Sequence, residues 1–311
     1  MTQPAITRRQ MGFHDNPISA PDLAALEAWL AACRAEGLTE RTDEVRAWHT
    51  VAMSRPLLLP APHRADYPLG KGFFVWNLPN SAGGDPVRLV AKARAAGLGW
   101  VAFKCHDGTN LHSGDLTPWV TACRAADIDV WLWGYNYAID PAGEATVAAA
   151  RCEQFGARGY IINAEHEYKE RGAAATTWGQ TFKRLRPDVK LGLSSYRYPS
   201  LHRAFPFAEF AAVCDFHTPQ VYWLLNTTPT TPTAQLARSI RELRAIRPLP
   251  VVPTGCAFPF QGWRPTVFQL DNFHQATITE NCPGVAWWSF ESAEAEPEFW
   301  NAIEAHQWPA G

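Results

Sequence analysis

The sequence predicts an α/β protein, a (β/α)8 TIM barrel with an N-terminal helical extension. Three observations lead there. Eight short apolar runs follow residue 70, amphipathic stretches of helical spacing separate them, and polar-Pro pairs mark where several of those helices start. Eight such units over about 240 residues suit a closed barrel better than an open doubly wound sheet.

Residues 1–68 differ in pattern from the rest. PDLAALEAWLAACRAEGL, from Pro21, places apolar residues at helical spacing, a shorter helix is expected from Thr42 to Ala52, and a Pro-rich linker follows at 56–69. The expected division is therefore a helical extension with its linker at 1–68 and a barrel carrying the site at 69–311.

The strand candidates, in order, are 72–77 (GFFVWN), 99–105 (GWVAFKC), 129–136 (DVWLWGYN), 159–165 (GYIINAE), 189–196 (VKLGLSSY), 216–223 (FHTPQVYW), 250–258 (PVVPTGCAF) and 284–290 (GVAWWSF). The first and last should pair through Phe73–Trp76 and Ala286–Ser289, which closes the ring. Helix starts are expected at Asp85-Pro86, Thr117-Pro118, Asp140-Pro141 and Glu296-Pro297, where a capping side chain precedes a proline suited to the first turn.

Composition narrows the partners. With 47% hydrophobic and 19% charged residues the 311-residue chain can bury a large core and is no candidate for disorder. The 28 basic residues nearly cancel the 30 acidic ones, so there is no net field to hold nucleic acid or an acidic membrane, and neither is an expected partner. The opening MTQPAITRRQMGFHDNPISA carries no apolar run behind its arginines. A cytoplasmic protein is expected as synthesised, one that lysis or injection could release. Seven cysteines, an odd and scattered set, read as buried reduced thiols without a disulfide. No glycine-rich phosphate loop and no metal-binding motif are present, so no cofactor and no metal are expected. Oligomeric state is not legible.

In barrels of this kind chemistry sits where the strands end. Those ends are rich in aromatic and amide side chains: Trp76 and Asn77; Lys104, His106 and Asp107; Trp133 and Tyr135; Asn163, Glu165 and Glu167; Tyr196; Gln220, Tyr222 and Trp223; Trp287, Trp288 and Glu291. The chain holds 14 tryptophans, and flat rings at a barrel mouth bury the apolar face of a sugar while amides and Lys104 bind its hydroxyls. Asn163 and Glu165 are two apart and share one face of their strand, which places a carboxyl for proton transfer. Its alternative role is to pair with Lys104 and close the barrel. Ser194 in GLSSY lacks the last glycine of a nucleophile elbow. His166 reads as a solvated loop residue.

The endings IINAEHE and TPQVYW, with GVAWWSF, resemble the lysozyme-type muramidases of glycoside hydrolase family 25, cell-wall hydrolases of phages and bacteria. The resemblance spans roughly residues 71–305. It implies that Glu165 is a proton donor acting on peptidoglycan, because the family's Asp-x-Glu pair on the fourth strand falls on Asn163-Ala164-Glu165. The aspartate is replaced here, and the family's acids on strands one and six fall on Asn77 and Gln220. Glycosidases use two carboxylates, so the second group is sought among Asp107, Glu167 and Glu291, or in an acetamido group of the substrate oriented by Asn163, Gln220 or Tyr222. The expected activity is hydrolysis of an amino-sugar polymer. The alternative is a non-catalytic barrel that binds a glycan or forms part of a larger assembly.

Overall fold

A computed structural model describes residues 65–309. The helices expected near 21–38 and 42–52, the division at 68 and Cys33 thus lie outside or at the margin of the described residues.

The chain runs β1 (Gly70–Val75), α1 (Pro86–Ala95), β2 (Leu98–Asp107), β3 (Asn110–Leu111), α2 (Thr117–Ala125), β4 (Asp129–Asn136), α3 (Pro141–Gln154), β5 (Gly159–Ala164), α4 (Gly172–Leu185), β6 (Lys190–Ser194), α5 (Phe207–Val213), β7 (Phe216–His217), α6 (Thr231–Ile246), β8 (Thr254–Cys256), α7 (Val267–Thr279), β9 (Gly284–Trp288), α8 (Phe290–Glu294) and α9 (Pro297–Ala305). All eight expected strands are present and parallel. The two-residue β3 is an antiparallel addition to the end of β2.

Strand order is β7-β6-β5-β4-β2-β1-β9-β8, and bridges His217–Val251 and Gln220–Thr254 join the two ends into a barrel. That seam is made of bridges because Pro219, Pro250 and Pro253 have no N–H to donate, which also shortens β7 and β8 relative to the apolar runs that contain them. The expected pairing of the first and last strands exists in a different register: Gly70 faces Gly284 and Phe73 faces Trp287. Beyond Val75 the chain turns away at Asn77, whose side chain accepts the Asn80 N–H, and Ser289 leaves the ladder as the N-cap of α8.

Helix starts follow the polar-Pro signals. Asp85 accepts the Val87 and Arg88 amides at the head of α1, Asp140 accepts the Gly143 amide at the head of α3, and Glu296 precedes α9. In α2 the cap position falls one residue earlier, on Leu116.

The sheet separates two apolar layers. Phe74, Trp100, Ala102, Trp131, Trp133, Ile161, Phe216, Val252 and Ala286 fill the barrel, while alternate residues such as Phe73, Val101, Leu132, Tyr160 and Trp287 pack outward under the helices. Bulky rings fit inside because a neighbouring strand gives way: a Cβ on Gly159 would lie 2.2 Å from the Trp131 ring. The six cysteines within the described residues are free and buried. Among those residues no helix is long and apolar enough to cross a membrane.

Candidate functional site

Strand alternation carries the inward face upward from the packed layer to the mouth. Above Phe74 comes Trp76, above Trp100 and Ala102 comes Lys104, above Trp133 comes Tyr135, and above Ile161 come Asn163 and Glu165. Register then aligns the neighbours. Asn163 faces Ser194, and two residues on Tyr196 bridges to Gln220.

Glu165 therefore stands beside Gln220, whose Nε2 donates to Glu165 Oε1 at 2.8 Å and to Asn163 Oδ1 at 3.1 Å. Asn163 Nδ2 reaches the same Glu165 oxygen at 3.4 Å. The second oxygen, Oε2, has no hydrogen-bond partner among the described residues, and the side chain is half-buried. Its charge bears on three phenols. Burial first, and then the negative charge of Glu165, pushes the hydroxyls of Tyr135, Tyr196 and Tyr222 up from the usual phenol range, so all three remain proton donors at neutral pH.

Glu167 lies close by. The Tyr135 hydroxyl donates to both of its oxygens, at 3.1 and 2.9 Å, and its charge also bears on Tyr196. His166 lies 3.3 Å from Glu167 and is mostly exposed.

Lys104 pairs with a carboxylate other than Glu165. Its Nζ pairs with Asp107 at 3.3 Å and lies 5.3 Å above the Trp133 ring, while Glu165 is held by amides. Asp107 is engaged a second time by the Tyr137 hydroxyl at 3.1 Å. Tyr137 is a mouth residue absent from the set expected at the strand ends. Its spacing of two from Tyr135, with ring centroids 4.8 Å apart, is the signal that marks it.

Glu291 belongs to the β1 side of the rim. It accepts the Ser81 hydroxyl at 3.4 Å and the Trp76 amide at 3.5 Å, its Oε1 is buried without a partner, and burial raises its pKa above the ordinary carboxylate range. Trp76, 47% exposed, is the open aromatic of this side, and Asn77 serves as a turn cap. Trp288 packs in the mouth against Trp133 and Phe74.

Three candidates do not face the mouth. Trp287 is fully buried and packs outward on Phe273, as it must when its neighbour Trp288 points inward. Trp223 is fully buried against the same Phe273. His106 is turned outward by a bulge in β2 between Lys104 and His106, which breaks the alternation that would have placed both on one face. Its ring is sealed between the Tyr160 hydroxyl and the Gly108 carbonyl, and burial lowers its pKa to about 4. Ser194 is buried too. Among the described residues no group of three His, Cys, Asp or Glu could hold a metal ion.

No family model matches the chain, and no curated protein matches it by sequence. Its fold is shared with solved structures. The spore cortex-lytic enzyme SleL of Bacillus megaterium QM B1551 is 10% identical with a TM-score of 0.58, the match covering 88% of this chain and 83% of that one. A chitinase of Chromobacterium violaceum ATCC 12472 gives 10% identity, TM-score 0.58 and coverage of 77% and 100%. The endo-1,4-beta-D-mannanase of Thermotoga petrophila RKU-1 gives 11%, 0.54 and coverage of 72% and 88%. At these identities the likeness is one of fold.

Proposed function

We propose that the chain is a glycoside hydrolase acting on an amino-sugar polymer, peptidoglycan first among them, with Glu165 as general acid and base. The observation that carries this is the asymmetry of the Glu165 carboxyl: Oε1 is pinned by Gln220 and Asn163, and Oε2 is left without a partner at the mouth of the barrel. A carboxyl oriented through one oxygen can present the other to a glycosidic oxygen and give up its proton there. The enzyme names carried by the structural neighbours, and the resemblance of the β5 ending to family 25 muramidases, support the same reading.

Asp107 is engaged by Lys104 and Tyr137 and Glu167 by Tyr135, while Glu291, though its Oε1 is unpartnered, belongs to the β1 side of the rim, three strands from Glu165 in the sheet order. We therefore assign the nucleophile to the acetamido group of the substrate. Its carbonyl oxygen attacks the anomeric carbon as Glu165 protonates the leaving oxygen. Water, giving its proton back to Glu165, then opens the cyclic intermediate with net retention. Asn163 and the Tyr222 hydroxyl are the groups for orienting the acetamido.

A second reading is favoured by one specific feature, the amides Asn77, Asn163 and Gln220 where the muramidases carry acids. It is a barrel that binds a glycan without cleaving it, in a phage or cell-wall assembly. Incubation with purified peptidoglycan, chitin and mannan decides between them. Soluble fragments from peptidoglycan support the hydrolase, retention on the polymer without fragments supports the binder, and neither outcome refutes both.

A further inference from the structure

The rim on the β6 side holds an arrangement that proton transfer at Glu165 does not use. Tyr196, bridged to Gln220, carries the His202 imidazole flat against it, ring centroids 3.7 Å apart and 9° from parallel. Phe205 supports Tyr196 edge-on at 5.7 Å and 89°. The result is a rigid aromatic wall directly beside the amide that orients Glu165.

Two cations flank this wall. Lys169, from the turn that follows Glu165, places Nζ 5.5 Å from the Tyr196 ring centre and is exposed. Arg197 donates Nη1 to the Tyr222 carbonyl at 2.6 Å and lies 5.0 Å from the Tyr198 ring, with its Nε buried and unpartnered. Neither cation has a carboxylate partner among the described residues. Arg238, on the same Tyr198 ring, shows the contrast, since Glu242 neutralises it at 2.8 Å. His202 adds a flat face and no charge, because burial and then the charges of Lys169 and Arg197 hold its pKa below the ordinary imidazole range.

Uncompensated positive charge beside a pair of carboxylates has a chemical consequence. A substrate carboxylate brought near Glu165 and Glu167 would be repelled unless a cation met it there. We propose that the Tyr196–His202 wall with Lys169 and Arg197 forms a subsite for a sugar bearing a carboxylate, adjacent to the bond that Glu165 acts on. The stacked rings bury the apolar face of the sugar, Lys169 meets the carboxylate directly, and Arg197 adds a fixed charge behind it. This rests on the proposed action on a glycan and narrows it: a muramic acid unit whose lactyl group bears no peptide carries such a carboxylate, and the sugars of chitin and mannan do not.

The test uses one oligosaccharide in two forms, alternating N-acetylglucosamine and N-acetylmuramic acid with the lactyl groups as free carboxylates or as amides. Affinities for the parent chain and for Lys169→Gln are measured by calorimetry at low and high salt, with Lys169→Gln also melted to verify that it folds. The acid form should bind about three- to fivefold tighter than the amide at low salt, as an exposed charge pair permits. Lys169→Gln or high salt should erase most of that ratio by weakening the acid form. Equal affinities for the two forms, or a ratio indifferent to Lys169→Gln, would overturn the subsite. Cleavage without acid preference overturns the subsite alone, and acid preference without cleavage leaves the subsite standing while the hydrolase falls. Binding of neither form overturns both.

Discussion

Replacing Glu165 by Gln separates chemistry from packing, because the structure assigns the two roles different magnitudes. Glu165 gives up no ion pair in the exchange, since Lys104 belongs to Asp107. What it has is a 2.8 Å bond from Gln220 and a longer one from Asn163, both onto Oε1. A glutamine can turn its own carbonyl oxygen to the same place. The loss is then a charge-assisted bond weakened to a neutral one, about 0.5–1.5 kcal/mol at a half-buried position. For a barrel of this size that is a fall in Tm of roughly 2–5 °C. Had Glu165 been the counter-charge of buried Lys104, the loss would have been about 3–5 kcal/mol, or more than roughly 10 °C. Turnover should fall by about 10²–10⁴-fold, because the transferable proton is gone while shape and hydrogen bonding remain. The assay pairs a thermal melt with release of soluble fragments from a glycan that the parent chain cleaves. A variant that melts normally and turns over at the parental rate removes Glu165 from the mechanism. A fall in Tm beyond about 10 °C refutes the pairing of Lys104 with Asp107 and makes Glu165 its counter-charge.

Stability should depend on pH through the buried imidazoles, two of which are shifted furthest. Burial lowers the pKa of both His106 and His274 to about 4, so the unfolded chain takes up protons near pH 6.5 that the folded chain refuses, and stability held above that pH is lost as the pH falls toward 4. For His106 alone the loss between pH 7 and 4.5 is about 2 kcal/mol, and the gap in urea stability between the parent and His106→Asn should narrow by that amount; an unchanged gap would count against a neutral buried His106. Gly134→Ala places a Cβ 2.2 Å from His106 Nε2, inside a fully buried contact, and should cost about 1–3 kcal/mol in denaturant unfolding; a change below about 0.5 kcal/mol would mean the ring is not held as described. Thiol titration of the denatured, unreduced chain should count all seven cysteines, and a count of five or fewer would contradict the absence of a disulfide.

Local signals were enough to locate the barrel and much of its mouth. An apolar run of period two and a proline behind a capping side chain depend on neighbours within a few residues, and this is why all eight strands and four of the nine described helix starts were legible. The same alternation puts Trp76, Tyr135, Asn163, Tyr196 and Gln220 on the inward face without reference to any contact. It failed where the ladder breaks its own period or where two adjacent residues were both assigned inward. The bulge in β2 sends His106 outward, and Trp287 cannot share a face with Trp288. The prolines that shorten β7 and β8 were visible in the sequence, but whether a ladder tolerates them depends on which strand lies alongside. Only the tertiary structure decided what Glu165 touches. Gln220 is 55 residues away and Lys104 is 61, and nothing local favours one over the other; the barrel's register brings the amide to the carboxyl and leaves the lysine to Asp107. Lys169 and His202 come to Tyr196 from turns that no periodicity marks, since a turn's course is set by the elements it joins rather than by a pattern of its own.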